Sequence, residues 1–412
     1  MTNVKEPVWR TALSGAQILF VAFGATVLVP LLTGLNPSLA LLGAGIGTLV
    51  FQLCTRRDVP IYLGSSFAFI APIIYSVQTW GMPATMSALA AASFFYYIAA
   101  GLVKWRGVGF IHRLLPPVVI GPVVMVIGLG LAQVAVSMAT GKAGEEQVVP
   151  YGTALSIAAI SLLATMLTAI RARGLLKLVP ILVGVAVGYM VSLILGVVDF
   201  SRVTQAAWLA VPDFGKPEFN LAAILFMIPV AIAPIVEHVG GILAIGSVTG
   251  KDFTETPGLH RTLLGDGLAV NIVGLFGGPP VTTYGEVTGA VMLTKNFNPV
   301  VMTWAAGFAI LMAFVGKFGA LLQTIPMPVM GGIMMLLFGS IAGIGLKTIM
   351  EGWVDLSSPR NLCIVSVTLV SGIGGLGVTI GSFSLQGISL CGVLAVLLNL
   401  LLPAEESTKQ PS

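Results

Sequence analysis

The chain has 412 residues, of which 56% are hydrophobic and only 9% are charged. A water-facing surface needs far more Lys, Arg, Asp and Glu, so this composition excludes a soluble globular protein. The formal net charge of +4 does not indicate nucleic-acid binding, because the basic residues are scattered between apolar segments.

Apolar segments of about 17–25 residues, long enough to cross the hydrocarbon core of a bilayer, recur along the whole chain. They predict an all-α polytopic membrane protein with fourteen transmembrane spans. In chain order the predicted spans cover residues 11–33, 37–54, 60–77, 84–103, 114–139, 151–170, 175–198, 221–247, 263–277, 280–294, 300–316, 321–347, 361–376 and 385–402.

The basic residues are distributed unevenly between the two sides of the membrane. With the N-terminus in the cytoplasm, 16 of the 20 Lys and Arg residues fall inside or at inner span ends. The four on the outside are Lys142, Arg202, Lys216 and Lys317. This asymmetry follows the positive-inside rule and favours an even number of spans. We therefore expect an inner (plasma) membrane protein with both termini in the cytoplasm.

The residue types that usually carry catalysis or bind metals are sparse. Three cysteines and three histidines are too dispersed for a zinc site or a disulfide framework, and the sequence contains no nucleotide-binding P-loop. We expect no metal, no cofactor, no catalytic residues and no ATP-driven transport by this chain alone.

Two pairs of similar segments, in matching positions of the two halves, predict an inverted repeat. Leu115–Gly121 opens the fifth span and resembles Ile325–Gly331, which opens the twelfth, at an offset of 210 residues. Gly64–Phe69 in the third span and Tyr284–Gly289 in the tenth have a similar offset, and both spans begin beside prolines. Chance, or tight packing of small residues, could explain either match alone. Together they indicate oppositely oriented halves with broken helices facing a central substrate.

Two glutamates lie inside apolar spans, Glu237 in the eighth and Glu286 in the tenth. A charge at the bilayer centre costs roughly 2.5–3.5 kcal/mol on insertion scales, so intramembrane acids indicate a functional site. Two such acids close together would hold a proton near neutral pH. On a helix His238 points about 100° away from Glu237, and we expect it to pack against a neighbouring helix. For Asp266 we expect a structural hydrogen bond or a pair with Arg261.

Six short segments, in order along the chain, resemble the nucleobase transporter family (the nucleobase:cation symporter or nucleobase–ascorbate transporter family), and within it the bacterial uracil permeases. The segments are Phe23–Pro30, Tyr62–Phe69, Glu237–Gly240, Pro257–Arg261, Thr282–Glu286 and Pro328–Gly332. The resemblance covers nearly the whole chain.

The resemblance implies a proton symporter, commonly a dimer, with fourteen spans arranged as a seven-plus-seven inverted repeat. The first repeat would cover residues 11–198 and the second 221–402. Spans 1–4 and 8–11 would form a core domain, spans 5–7 and 12–14 a gate domain, and spans 3 and 10 would contain short strands. Glu237 and Glu286 would bind the base and carry the proton. The other substrate-binding residues implied are Phe67, Gly285, Tyr284 and Ser66.

The chain departs from the uracil permeases at four positions. A histidine four residues after the first glutamate is replaced by Gly241, a Gln-His pair reads Gln17-Ile18, an Asn after the second glutamate is Val287, and a Tyr is Phe338. Each change removes a polar group. The identity of the base therefore stays open among uracil, thymine, xanthine and their relatives, and the sequence does not decide between proton and sodium coupling.

Three alternatives compete with a proton-coupled pyrimidine importer. A purine or xanthine permease of the same family is one. An anion transporter of the related sulfate/bicarbonate fold is another, although two acids at the site would repel an anion. A membrane-embedded enzyme would need a nucleophile–base pair or metal cluster, and the sequence shows neither.

Overall fold

The computed structural model describes residues 7–144, 146–380 and 383–403. For a few residues inside helices and strands, Glu286 among them, it describes the backbone and not the side chain.

Helices dominate the described chain. Those of the first half are α1 (Val8–Thr33), α2 (Pro37–Cys54), α3 (Ile70–Arg106), α4 (Val108–Leu114), α5 (Pro117–Gly130), α6 (Ala132–Ala139), α7 (Tyr151–Arg171), α8 (Pro180–Ile194) and α9 (Ser201–Gln205). Those of the second half are α10 (Leu221–Met227), α11 (Ile232–Thr249), α12 (Leu259–Leu275), α13 (Gly285–Thr294), α14 (Val300–Ala313), α15 (Gly316–Leu322), α16 (Met327–Glu351), α17 (Pro359–Ile373) and α18 (Gly387–Leu401).

The described strands are short and form three antiparallel pairs. They pair as β1 (Leu63–Ser65) with β4 (Val281–Thr283), β2 (Lys142–Ala143) with β3 (Glu146–Gln147), and β5 (Gly377–Ile380) with β6 (Phe383–Gln386). The first pair joins the two halves of the chain. It confirms the prediction of short strands in the third and tenth spans.

The turn between α1 and α2 illustrates how the sequence sets the ends of the spans. Gly34 ends α1 in the left-handed conformation, with φ 75°, which glycine adopts without a steric penalty. The Asn36 side chain accepts a 2.9 Å hydrogen bond from the Ser38 N–H, and Pro37 occupies the first helical position. A sharp reversal of the chain follows, and the two spans lie side by side.

Several span boundaries differ from those predicted. The last part of the third predicted span and the whole of the fourth belong to one nearly continuous helix, α3, in which only Gly81 (φ 82°, ψ 169°) is non-helical. The fifth predicted span is divided between α5 and α6 at Leu131. Near the C-terminus the β5–β6 hairpin begins after the predicted end of the thirteenth span and takes up the first two residues of the fourteenth, Leu385 and Gln386. Gly375, with φ 67°, turns the chain just after α17.

The helices pack as two groups. In one, α1, α2 and α3 pack with α10–α14, and the β1–β4 pair lies among them. In the other, α16 packs against α5, α6, α7 and α8, while α17 and α18 pack on each other and on α5. The groups meet where α1 contacts α8 and where α11 contacts α5 and α18.

Candidate substrate site at the β1–β4 pair

The β1–β4 pair is a buried two-stranded ribbon between two helix starts. Leu63 pairs with Thr283, Gly64 with Thr282 and Ser65 with Val281. Two further backbone bonds extend the ladder, from the Ser66 N–H to the Pro280 carbonyl (2.8 Å) and from the Tyr284 N–H to the Tyr62 carbonyl (3.2 Å). Helical prolines would interrupt backbone bonding, and here the prolines lie just before each strand, at Pro60 and Pro280.

Side chains attach the ribbon to the surrounding helices. The Tyr284 hydroxyl donates to the Ser65 carbonyl and the Ser65 hydroxyl donates to the Thr26 carbonyl of α1, both at 2.9 Å. The Tyr284 ring lies directly over Gly64, so a Cβ atom at that position would overlap the ring. Glycine at residue 64 is therefore required by close packing.

Each strand runs directly into a helix. A 3₁₀ turn at Phe67–Phe69 follows β1 and continues into α3, while α13 begins at Gly285, two residues after the end of β4. The first N–H groups of a helix have no partners within it and carry the positive end of the helix dipole. Gly285 is exposed, with open space where a side chain would be, so a ligand can approach this helix start.

Glu237, the first of the two predicted acids, is the sixth residue of α11, which packs against both β4 and α13. Glu237 is partly exposed, whereas its neighbours Val236 and His238 are buried. One turn further along, Gly240 is exposed and has no atoms near its Cβ position. The carboxylate therefore lies on a face of α11 that a small molecule can reach.

An aromatic contact joins the two helix groups at the ribbon. Phe67 follows β1, and Phe338 lies on α16 in the other group. Their ring centroids are 6.5 Å apart with an interplanar angle of 84°, an edge-to-face arrangement. Both rings are nearly buried, at 5% and 2% exposure.

Three residues of the extended ladder have a buried hydroxyl group without a hydrogen-bond partner among the described atoms. They are Tyr62, Ser66 and Thr283. Leaving a buried donor unsatisfied costs about 1–3 kcal/mol, so such groups call for an explanation, and a bound ligand or water is one. Ser66 was predicted at the site. Thr283 was not, because threonine is common in strands and gave no separate signal.

Comparison with known proteins identifies the family. Residues 10–381 match the sequence profile of a permease family. The chain belongs to this permease family.

Similar permeases are known from several bacteria. The chain is 56% identical to a probable uracil permease of Pasteurella multocida over 99% of each chain. It is 47% identical to a uracil permease of Bacillus caldolyticus, over 94% of this chain and 90% of the relative. These matches show that the permease is a transporter and not an enzyme.

Solved structures with low sequence identity share the permease's fold. SLC26A9 matches with a TM-score of 0.69 at 12% identity, covering 97% of this chain and 66% of that chain. The transmembrane domain of the cyanobacterial bicarbonate transporter BicA matches with a TM-score of 0.66 at 15% identity, covering 96% and 98%. The predicted fourteen-span, seven-plus-seven inverted-repeat fold is confirmed.

The second predicted acid lies on the same short helix as Gly285. Glu286 is the second residue of α13, and its side chain lies outside the described part of the structure. The backbone places residue 286 at the helix start next to β4. A direct meeting of its carboxylate with Glu237 stays a prediction.

The four residues at which the sequence differs from the uracil permease pattern lie in closely packed parts of the structure. Ile18, Val287 and Phe338 are buried, with at most 4% exposure. A Cβ atom at Gly241 would lie 2.8 Å from the Thr283 hydroxyl oxygen, so α11 approaches β4 closely at this glycine. A larger side chain at position 241 would require the Thr283 side chain to move.

Two further polar residues beside the site form a pair that the sequence did not predict. His238 contacts α12, as expected of a helix-contact residue, but its partner there is Asp266, at 3.2 Å from Nδ1 to Oδ2. Of the two alternatives expected for Asp266, a structural hydrogen bond or a pair with Arg261, the first is found: Asp266 accepts a hydrogen bond from the Thr282 hydroxyl (3.1 Å).

Proposed function

We propose that this permease imports uracil, or a closely related pyrimidine, across the inner membrane by proton-coupled alternating access. The observation that carries the proposal is the junction at which two strand-to-helix transitions lie beside the intramembrane acid Glu237. The names of the relatives, which include uracil permeases of 47–56% identity, support the choice of base.

The chemistry of the site fits a small planar amide. Uracil presents N–H donors and carbonyl acceptors in one plane. A carboxylate such as Glu237 accepts from ring N–H groups, and the first N–H groups of α13, together with the Ser66 hydroxyl, donate to ring carbonyls. Phe67 supplies an apolar surface for the ring face. A neutral ring with both donors and acceptors suits this set better than an anion does, because the carboxylate would repel an anion.

Proton coupling would operate through the carboxylates. With proton and base bound, the site carries less charge, and the domain that holds it moves past its neighbour at lower cost. Empty and deprotonated, the site carries charge that resists the same movement. Glu237 and Glu286 are the proposed proton-binding groups, and we propose Glu237 as the one that carries the transported proton.

Alternating access requires two bodies that move relative to each other. We propose the core domain as spans 1–4 and 8–11 and the gate domain as spans 5–7 and 12–14, within repeats 11–198 and 221–402. The two helix groups of the fold support this division. A cavity of about 500 Å³ between them, lined by Thr33, Gln78, Gln133 and Lys142 among others, supports an external vestibule. We also propose a homodimer with cytoplasmic termini, on the family resemblance and the basic-residue asymmetry.

The decisive experiment uses purified permease in proteoliposomes with an inward proton gradient. We expect labelled uracil to accumulate and to be recovered chemically intact, and a thermal-shift panel to show stabilisation by uracil or thymine rather than xanthine. Stabilisation by xanthine alone would contradict the pyrimidine assignment. Uptake that requires sodium and is unaffected by a protonophore would contradict proton coupling.

A further inference from the structure

The substrate site leaves unused a buried pair of ionisable side chains, His238 on α11 and Asp266 on α12. Both side chains are fully buried, and Nδ1 of the imidazole lies 3.2 Å from Oδ2 of the carboxylate. The oxygen lies off the axis of the ring N–H, so the contact has ion-pair distance without good hydrogen-bond geometry. A net charge at such a position is expensive, because no water solvates it.

The neighbours of His238 favour one placement of its hydrogen atoms. The Thr262 hydroxyl lies 3.0 Å from the Leu259 carbonyl, which can only accept, and 3.0 Å from His238 Nε2. When the hydroxyl donates its single hydrogen to the carbonyl, it accepts from Nε2, and the ring carries a hydrogen there. The other nitrogen, Nδ1, faces Asp266. With no proton between them, a lone pair of the ring would face a carboxylate oxygen in a dry interior.

One proton held by the imidazole–carboxyl pair removes this repulsion. An imidazolium beside a carboxylate and a neutral imidazole beside a carboxylic acid both provide it, and both leave the pair with zero net charge. Loss of that proton would leave an unbalanced negative charge in the protein interior.

The groups around the pair connect it to the substrate site. Thr282 of β4 donates to Asp266 Oδ2 at 3.1 Å, and the Phe51 ring of α2 meets the imidazole edge-on at 6.2 Å. The titratable groups that face the pair are Tyr96 of α3 and Glu237 of α11. The buried Tyr96 hydroxyl lies close to Asp266, although not in hydrogen-bond geometry, and within electrostatic reach of both carboxylates.

We propose that His238 and Asp266 keep one shared proton throughout the transport cycle and act as positioning residues that hold Glu237 in register with β4. His238 directly follows Glu237 on α11, and Asp266 holds Thr282 on the strand that leads to α13. The pair thus connects the acid to the ribbon. The transported proton is then carried by the site carboxylates and not by this histidine. The consequence for transport rests on the proposed role of Glu237, whereas the protonation state does not.

The protonation state can be measured by nitrogen NMR of ¹⁵N-histidine-labelled permease carrying His112→Gln, which leaves His238 and His260. His260 is a control on the same helix as Asp266. Burial, and then the charges of Arg261 and Lys104, lower the pKa of His260, so its signals should move at a pH below that of a free histidine. The His238 signals should show a hydrogen on Nε2 both without and with bound uracil. A hydrogen on Nδ1 alone, in either state, would overturn the proposal.

Transport by two Asp266 variants tests the positioning role. With its amide nitrogen in the place of Oδ2, Asn at 266 can donate both to Nδ1 and to the Thr282 hydroxyl oxygen without charge. Asp266→Asn should therefore keep proton-driven uracil accumulation with unchanged proton stoichiometry. Asp266→Ala removes both contacts and should raise the KM for uptake by about 10-fold with a smaller effect on the maximal rate. Asp213→Ala, on an exposed loop, is the control.

The outcomes separate this inference from the proposed function. Asp266→Asn protein that binds uracil but no longer accumulates it would show that the pair itself carries the transported proton, against the proposal. An unchanged KM in Asp266→Ala would remove the positioning role. If wild-type permease fails to accumulate uracil, the proposed function fails, while the NMR result still decides the protonation state.

Discussion

At the scale of single residues, Glu237 combines an intramembrane position with partial exposure beside the β1–β4 ribbon. Hydrogen bonds to a charged group contribute about 1.5–3 kcal/mol, so Glu237→Ala should weaken uracil binding by roughly 10- to 100-fold. Glu286→Ala is expected to have a similar effect. Isothermal titration of detergent-purified protein measures both.

The control for these variants is Glu255→Ala, since Glu255 is exposed outside the predicted spans. The affinity of the Glu255→Ala variant for uracil should equal that of the wild type. Wild-type affinity in either Glu237→Ala or Glu286→Ala, with the protein folded, would remove that residue from the site.

Glutamine substitutions separate binding from coupling. The Gln side chain mimics a protonated glutamate, so Glu237→Gln should still bind uracil and exchange it across the membrane. It should lose accumulation driven by a proton gradient, because no proton is taken up or released. Counterflow and gradient-driven uptake in the same proteoliposomes measure the two activities. If Glu237→Gln and Glu286→Gln both still concentrate uracil, carboxylate-based coupling is wrong.

The sequence identified the acids more readily than their surroundings. A charged residue within an apolar span is visible in the sequence alone, so Glu237 could be predicted as a site residue. The partner of Asp266 could not, because it depends on how α11 and α12 are rotated about their axes. Arg261, five residues away in sequence, was the nearest candidate, yet His238, 28 residues away, is the actual contact.

At the scale of elements, the β1–β4 ribbon depends on close packing at Gly64. Gly64→Ala would push a methyl group into the Tyr284 ring and the Thr26 hydroxyl. Overpacking of this kind costs typically about 1–3 kcal/mol, so we expect lower thermal stability and loss of uracil uptake. Gly101→Ala is the matched control, because Gly101 lies on α3 with open space at its Cβ position. Equal melting temperatures for the two variants would contradict the packing argument.

The broken elements were predictable where proline and glycine mark them. Pro60 and the Pro279-Pro280 pair precede the two strands, and the sequence indicated a break at both places. The β5–β6 hairpin was missed, since most of it lies in the short connection between the last two predicted spans. The sequence predicted two spans where the structure has one nearly continuous helix, α3. Gly81 and Pro83 resemble a loop in the sequence, but only Gly81 leaves the helical conformation.

At the scale of the whole molecule, the orientation in the membrane follows from the basic residues and can be tested by labelling. In a variant in which Cys54, Cys363 and Cys391 are replaced, Thr140→Cys and Ala143→Cys should react with an impermeant maleimide on intact cells. Ala172→Cys, between Arg171 and Arg173, should react only after permeabilisation. The reverse pattern would overturn the span count or the orientation.

The β1–β4 pair has a consequence for how the protein is made. Leu63 bonds across the ribbon to Thr283, so its partner is synthesised 220 residues later. At typical translation rates of about 5–20 residues per second, roughly 10–45 s pass between the synthesis of β1 and that of its partner strand. During this interval its backbone groups lie unpaired at membrane depth, where lipid offers no hydrogen bonds. Biogenesis of this protein should therefore depend on a factor, such as a membrane insertase or chaperone, that shields the unfinished N-terminal repeat until the second one arrives.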